Sequence, residues 1–151
     1  MTRFRTLVGL GAAWLSALPA AAQDASSGDA EGMDDTAVLA LTLDGLAPVD
    51  GACRLTFVAR NGLAADVASL VVEAVAFGPE GSVERIALFD FGALPVDRLR
   101  VRQFDLPGTP CEAVGSMLVN GVQTCQGEGL DAEQCAPVIS VSSRAEVELL
   151  G

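Results

Sequence analysis

Four cysteines, three alternating arginines and one short acidic loop are the parts of this 151-residue chain whose types and spacing could do chemistry. Cys53, Cys111, Cys125 and Cys135 lie 58, 14 and 10 positions apart. A four-thiolate zinc site is built from close C-x2-4-C pairs, and a dithiol redox centre from C-x-x-C; neither spacing occurs. Two disulfides are therefore expected, with zinc ligation or free thiols as the competing readings. Of the three connectivities, Cys53–Cys111 with Cys125–Cys135 is favoured, because the second pair closes a polar loop and the first ties an early strand to a late one. The chain-entropy account gives such closures about 4 and 3 kcal/mol.

Arg98, Arg100 and Arg102 alternate with Leu99 and Val101. Period-two spacing places the three guanidinium groups on one face of one strand, with Leu99 and Val101 expected to face the core. Two roles fit. The arginines can pair across strands with carboxylates such as Glu84 or Glu73, each pair adding about 0.2–1 kcal/mol. Alternatively they form a docking stripe for an acidic partner or anionic ligand, which guanidinium geometry suits. Phe104 falls on the same face as the arginines, so a bulge or a partly exposed aromatic is expected there.

Glu128, Asp131 and Glu133 lie inside the short ring that Cys125–Cys135 would close. Calcium favours several such oxygens on a rigid frame, although the EF-hand spacing is missing. A solvated acidic loop is the competing reading. The chain has no His, no Lys and no Tyr, so Ser-His, Cys-His and Ser-Lys nucleophilic pairs cannot be assembled. Acid–base chemistry would fall to carboxylates alone, without the aromatic platforms that a carboxylate-based glycosidase normally uses. No enzymatic activity and no cofactor are expected.

The elements that must position these residues begin after two leading segments. Residues 1–22 read as a secretory signal peptide: Arg3 and Arg5, an apolar run from Leu7 to Leu18, then Pro19 and Ala20-Ala21-Ala22 ahead of Gln23. The run is about a dozen residues, short of the ~20 of a membrane-spanning helix. Residues 23–36 read as a flexible acidic leader. The nine basic residues are all arginine, against 20 acidic ones, for a net charge of −11. Removing Arg3 and Arg5 leaves 7 basic residues and a charge of −13. Such a surface disfavours nucleic acid and anionic lipid.

Residues 37–151 carry short apolar runs separated by Gly, Pro and Asp. Cys53, Leu55, Phe57 and Ala59 form one face of a strand, with Arg54, Thr56, Val58 and Arg60 on the other. Leu63–Ala68 could make a helical turn. Ser69–Phe77 reads as a strand buried on both faces, turning through Gly78-Pro79-Glu80-Gly81 into Ser82–Phe89. Asp97–Asp105 is another strand. Asn120-Gly121 predicts a tight hairpin between Val114–Val119 and Val122–Cys125. Val138–Ser142 closes the domain, and Arg144–Leu150 is a short helix or frayed strand. Seven or eight short strands with regular turn signals predict an all-β, antiparallel sandwich stapled by two disulfides.

The segment VEAVAFGPEGSVERIALFDFGALPVDRLRVRQFDL resembles the immunoglobulin-like β-sandwich modules of bacterial envelope proteins, including the FxLYD type, over about a quarter of the chain. The aromatic signature that names the FxLYD type is not matched. The resemblance implies an immunoglobulin-like fold and a role as a binding module or structural spacer. High Ala and Gly content and the exclusive use of Arg point to a GC-rich genome, and a Gram-negative periplasm is the expected compartment.

The expected function is thus a non-catalytic accessory or interaction module whose partner is another envelope protein, with no membrane span after cleavage. The alternative is a small-ligand or calcium-binding protein using the 125–135 loop or the arginine stripe. Sandwich edges can pair or be blunted, so both monomer and oligomer fit. Intact-mass analysis of the exported protein is expected to show a chain starting at Gln23; a chain retaining Leu7–Leu18 would contradict the cleavage.

Overall fold

The computed structural model describes residues 37–151; the expected signal peptide and acidic leader lie outside the described residues. Eight strands form two four-stranded sheets: β1 Leu39–Val49, β2 Ala52–Asn61, β3 Val67–Phe77, β4 Val83–Leu94, β5 Leu99–Pro107, β6 Ser116–Gly127, β7 Ile139–Ser143 and β8 Glu148–Leu150. The first sheet runs β5-β2-β1-β7 and the second β4-β3-β6-β8. This is the expected all-β sandwich. Its closing strands depart from pure antiparallel pairing: β7 joins β1 and β8 joins β6 in parallel, at the far edge of each sheet.

Alternation builds the core. Leu39, Leu41 and Leu43 of β1 and Cys53, Leu55, Phe57 and Ala59 of β2 point inward, against Leu70, Val72, Ala74, Phe89, Phe91 and Met117 of the other sheet. Phe57 is the centre of an aromatic cluster. Its ring lies 5.8 Å from Phe89, 5.6 Å from Phe91 and 5.9 Å from Phe104, and Phe89 stacks on Phe104 at 4.5 Å. Each such pair adds about 0.5–1.5 kcal/mol beyond simple burial. Both disulfides form with the expected pairing. Cys53–Cys111 ties β2 to the turn before β6, and Cys125–Cys135 ties β6 to the four-residue helix α1, Ala132–Cys135.

Three local expectations are corrected. Asn120-Gly121 does not turn: β6 runs straight through it and pairs with β3 along its whole length, with register shifts at Val71/Val72 and Glu73/Ala74. Central-strand pairing on both sides of the dipeptide outweighs its turn preference, and Gly121 does not take the positive φ that a tight hairpin requires. Leu63–Ala68 forms bends rather than a helical turn, and β3 already starts at Val67. Leu99 and Val101 face outward, 63% and 59% exposed. The large groups Phe104 and Leu106 set the phase of β5, which turns Arg100 and Arg102 to the inner side.

The chain switches sheets three times at one end of the sandwich, between β2 and β3, between β4 and β5, and between β6 and β7. Asn61, completely buried, joins the first two of them. Its Nδ2 donates to Ala65 O at 2.9 Å and Leu94 O at 2.8 Å, and its Oδ1 accepts from Leu63 N–H at 2.9 Å. Its backbone carbonyl accepts from Asp97 N–H at 2.9 Å, and Asp66 Oδ1 accepts from Val96 N–H at 2.8 Å. Asp97 takes φ +55° in this tight return.

Replacing Asn61 with Ala leaves two carbonyls and one N–H without their partner at a buried position. The expected loss is about 3 kcal/mol of unfolding free energy by urea titration. A loss below about 1 kcal/mol would show that water replaces the amide at this junction.

Candidate docking face

The arginine stripe is divided by the fold. Arg98 lies before β5 and is exposed; Arg100 and Arg102 sit on the inner side at the open flank where β5 faces β4. Arg102 Nε donates to Phe91 O of β4 at 2.8 Å. In the reverse sense, Arg85 of β4 donates from Nη2 to Pro107 O of β5 at 2.7 Å and from Nε to Thr109 Oγ1 at 3.2 Å. These two guanidinium groups clasp the edges of opposite sheets around the Phe89–Phe104 stack and occupy edge carbonyls that would otherwise invite a foreign strand. None of the three stripe arginines meets Glu84 or Glu73: Glu84 accepts from Ser82 Oγ and Glu73 from Asn120 Nδ2. Phe104 is a half-buried member of the aromatic cluster.

The acidic ring is not assembled as a cation site. Asp131 Oδ1 accepts from Gln134 N–H at 2.9 Å and so caps α1, while Glu128 and Glu133 are exposed. Among the described residues no group of three Asp, Glu, His or Cys is placed to hold a metal ion.

Two open depressions flank the Cys53–Cys111 bridge. One, of about 390 Å³, is lined by Pro48, Val49, Ala52 and Pro110 with Glu112 at its rim. The other, of about 480 Å³, has Glu112, Arg144 and Glu146 among its lining groups, and Arg144 is already paired with Asp44 at 3.0 Å. Neither brings a nucleophile to a base.

The outer faces of the two sheets differ. On the first sheet, polar side chains are joined across strands, Thr42 to Ser142 at 2.9 Å, Gln103 to Thr56 at 3.3 Å, and Arg54 to Asp105 through two bonds of 2.7 and 2.8 Å, and the exposed apolar groups are Leu99 and Val101 of the edge strand β5, with Val58 opposite Val101. The second sheet carries an apolar row from edge to edge: Ile86 of β4 opposes Val75 of β3, which opposes Leu118 of β6, which opposes Leu150 of β8. Phe77 with Val83, and Leu88 beside Glu73, extend it into the neighbouring rows. Ile86 and Leu88 are 60% exposed, whereas their neighbours cover Val75 to 5%. Val71, Val75 and Phe77 alternate with the core residues Val72, Ala74 and Ala76, so β3 has two apolar faces and only one packs inside the sandwich. Carboxylates stand within and around the patch: Glu73 on β3 between Val71 and Val75, and Glu84, Asp90 and Glu148 about it. Arg85 is the sole basic residue in these four strands, and it is held on the inner flank. The apolar run Ser69–Phe77 predicts a strand covered on both faces, whereas no second layer among the described residues packs on its outer face. The signal that could have located the patch was Ile86 and Leu88 alternating with Arg85 and Ala87 on the partner strand.

The Arg54–Asp105 pair supplies a pH test. Its two short bonds hold the Asp105 carboxyl below the usual carboxylate range and raise the Arg54 guanidinium, chiefly through the hydrogen bond itself. A depressed carboxylate stabilises the fold above its unfolded pKa, and that contribution disappears as pH falls through the lower folded value. The stability difference between wild type and Asp105→Asn is therefore expected to be constant from neutral pH to about pH 5, and to close progressively below roughly pH 4. Melting temperatures across that range check it; a difference that widens in acid would contradict it.

Compared with known proteins, the chain matches no family model, no curated protein and no solved structure.

Proposed function

We propose that this protein is a non-catalytic, secreted or periplasmic interaction module that binds another envelope protein through the outer face of its β4-β3-β6-β8 sheet. One observation carries the reading: the continuous apolar row Ile86–Val75–Leu118–Leu150, crossing four strands with no cover among the described residues. Contiguous exposed apolar patches on soluble domains mark interaction surfaces. A sheet with one packed and one solvated face would ordinarily alternate apolar with polar.

Other features agree. Two disulfides suit an oxidising compartment, and the N-terminal 22 residues read as an export signal. The absence of His, Lys and Tyr removes the common nucleophile–base pairs. An immunoglobulin-like assignment draws support from strand order, since β5-β2-β1 opposite β4-β3-β6 matches the E-B-A and C′-C-F order of that class. The disulfides do not follow the inter-sheet B–F staple of antibody domains: Cys53–Cys111 leaves β2 for a turn and Cys125–Cys135 stays local.

Photo-crosslinking in intact cells tests the proposal. A photoreactive residue at Ile86 or Leu150 is expected to give one discrete adduct with another protein, and the same probe at Thr42 or Ser140, on the opposite outer face, none. No adduct from Ile86 and Leu150, or equal adducts from all four positions, would count against the face.

A further inference from the structure

We infer that the occupant of this face is a basic protein surface, an apolar stripe flanked by Lys or Arg, rather than a second copy of this chain; the inference rests on the docking role proposed above. The charge distribution carries it. The apolar rows lie among Glu73, Glu84, Asp90 and Glu148, and β3, β6 and β8 contain no basic residue at all. Arg85, the one cation in the sheet, is turned to the inner flank and bonded to Pro107 O and Thr109 Oγ1, so it neutralises nothing on the outer face.

A two-fold self-association would set this patch against itself. The acidic rim would then meet an identical acidic rim in a chain of net charge −11, and like charges brought together at an interface are strongly disfavoured. An anionic bilayer is disfavoured for the same reason. A partner with cations around an apolar stripe satisfies both parts of the surface. The apolar rows supply the desolvated centre, and the carboxylates steer encounter and select against acidic competitors. Two of these carboxylates are already oriented by neighbours, Glu73 within the patch by Asn120 Nδ2 and Glu84 by Ser82 Oγ at 2.8 Å, so less side-chain freedom is lost when a cation arrives.

The test uses the full chain and two synthetic amphipathic peptides, one of leucine and lysine and one of leucine and glutamate, followed by methyl NMR and by sedimentation of the protein alone. The lysine peptide is expected to bind saturably, shifting the methyls of Val75, Ile86, Leu88, Leu118 and Leu150, while the glutamate peptide does not. Ile86→Gln with Leu88→Gln, both at exposed positions that leave the core intact, should weaken binding about tenfold or more. Glu73→Gln with Glu148→Gln should weaken it several-fold and flatten its salt dependence. Equal binding of both peptides, or preference for the glutamate peptide, overturns the basic-partner inference and leaves the docking face standing. So does a dimer that Ile86→Arg dissociates. Methyls already in contact with residues 23–36 in the free protein would instead show that the chain covers its own face, and the docking role itself would fall.

Discussion

A single buried amide ties together two of the places where the chain passes from one sheet to the other. A sandwich whose chain changes sheets must carry its backbone across the open end, where polar groups leave one ladder before they find the next. Here three crossings share that end, and Asn61 closes two of them. An amide offers donors and an acceptor on one short stem, so it can reach the β2–β3 loop, the end of β4 and its own following turn together. The antiparallel approach of β4 and β5 on the open flank follows from that junction. The two arginine clasps and the Phe89–Phe104 stack follow from that approach.

Much of this fold was legible where a local signal and the tertiary demand agreed. Cys53, Leu55, Phe57 and Ala59 alternate on a strand that has one core face, so pattern and burial coincide. Gly78-Pro79-Glu80-Gly81 turns as its residues prefer, with Gly81 at φ +83°. The disulfides pair as loop logic suggested. Legibility failed where non-local pairing overrode a local preference. Asn120-Gly121 lies opposite the central strand β3 and is drawn into its ladder, whereas Asp50-Gly51, a comparable dipeptide with no such partner, makes the actual β1–β2 hairpin. On β5 two apolar sets compete for the core, Leu99 with Val101 and Phe104 with Leu106. The strand is an edge, so the heavier pair decides and the lighter is left in solvent. Asn61-Gly62 is legible as the end of β2, but the junction that Asn61 makes is not, because its bond to Leu94 O spans 33 positions.

The candidate site was legible in part. The apolar strength of β3 announces itself over Ser69–Phe77, but its consequence depends on whether a second layer covers the outer face, and no local pattern encodes a missing layer. The arginines, by contrast, drew attention by their spacing. The fold gives Arg102 to an edge carbonyl of the opposite sheet and leaves Arg98 outside the strand. Period-two spacing predicts a shared face, but not whether that face looks outward.

The parallel closure of the two sheets bears on when the domain can become a domain. Leu39 pairs with Ile139 and Thr42 bonds to Ser142, each across 100 positions, and β8 joins β6 only within Glu148–Leu150. The strands that complete both sheets are therefore the last two of the eight in chain order. A nascent chain lacking them has one unpaired margin on each sheet, and loop-closure entropy delays such distant pairings further. Neither sheet is complete before β7 and β8 have joined, and until then the open margins of β1 and β6 can be claimed by other strands.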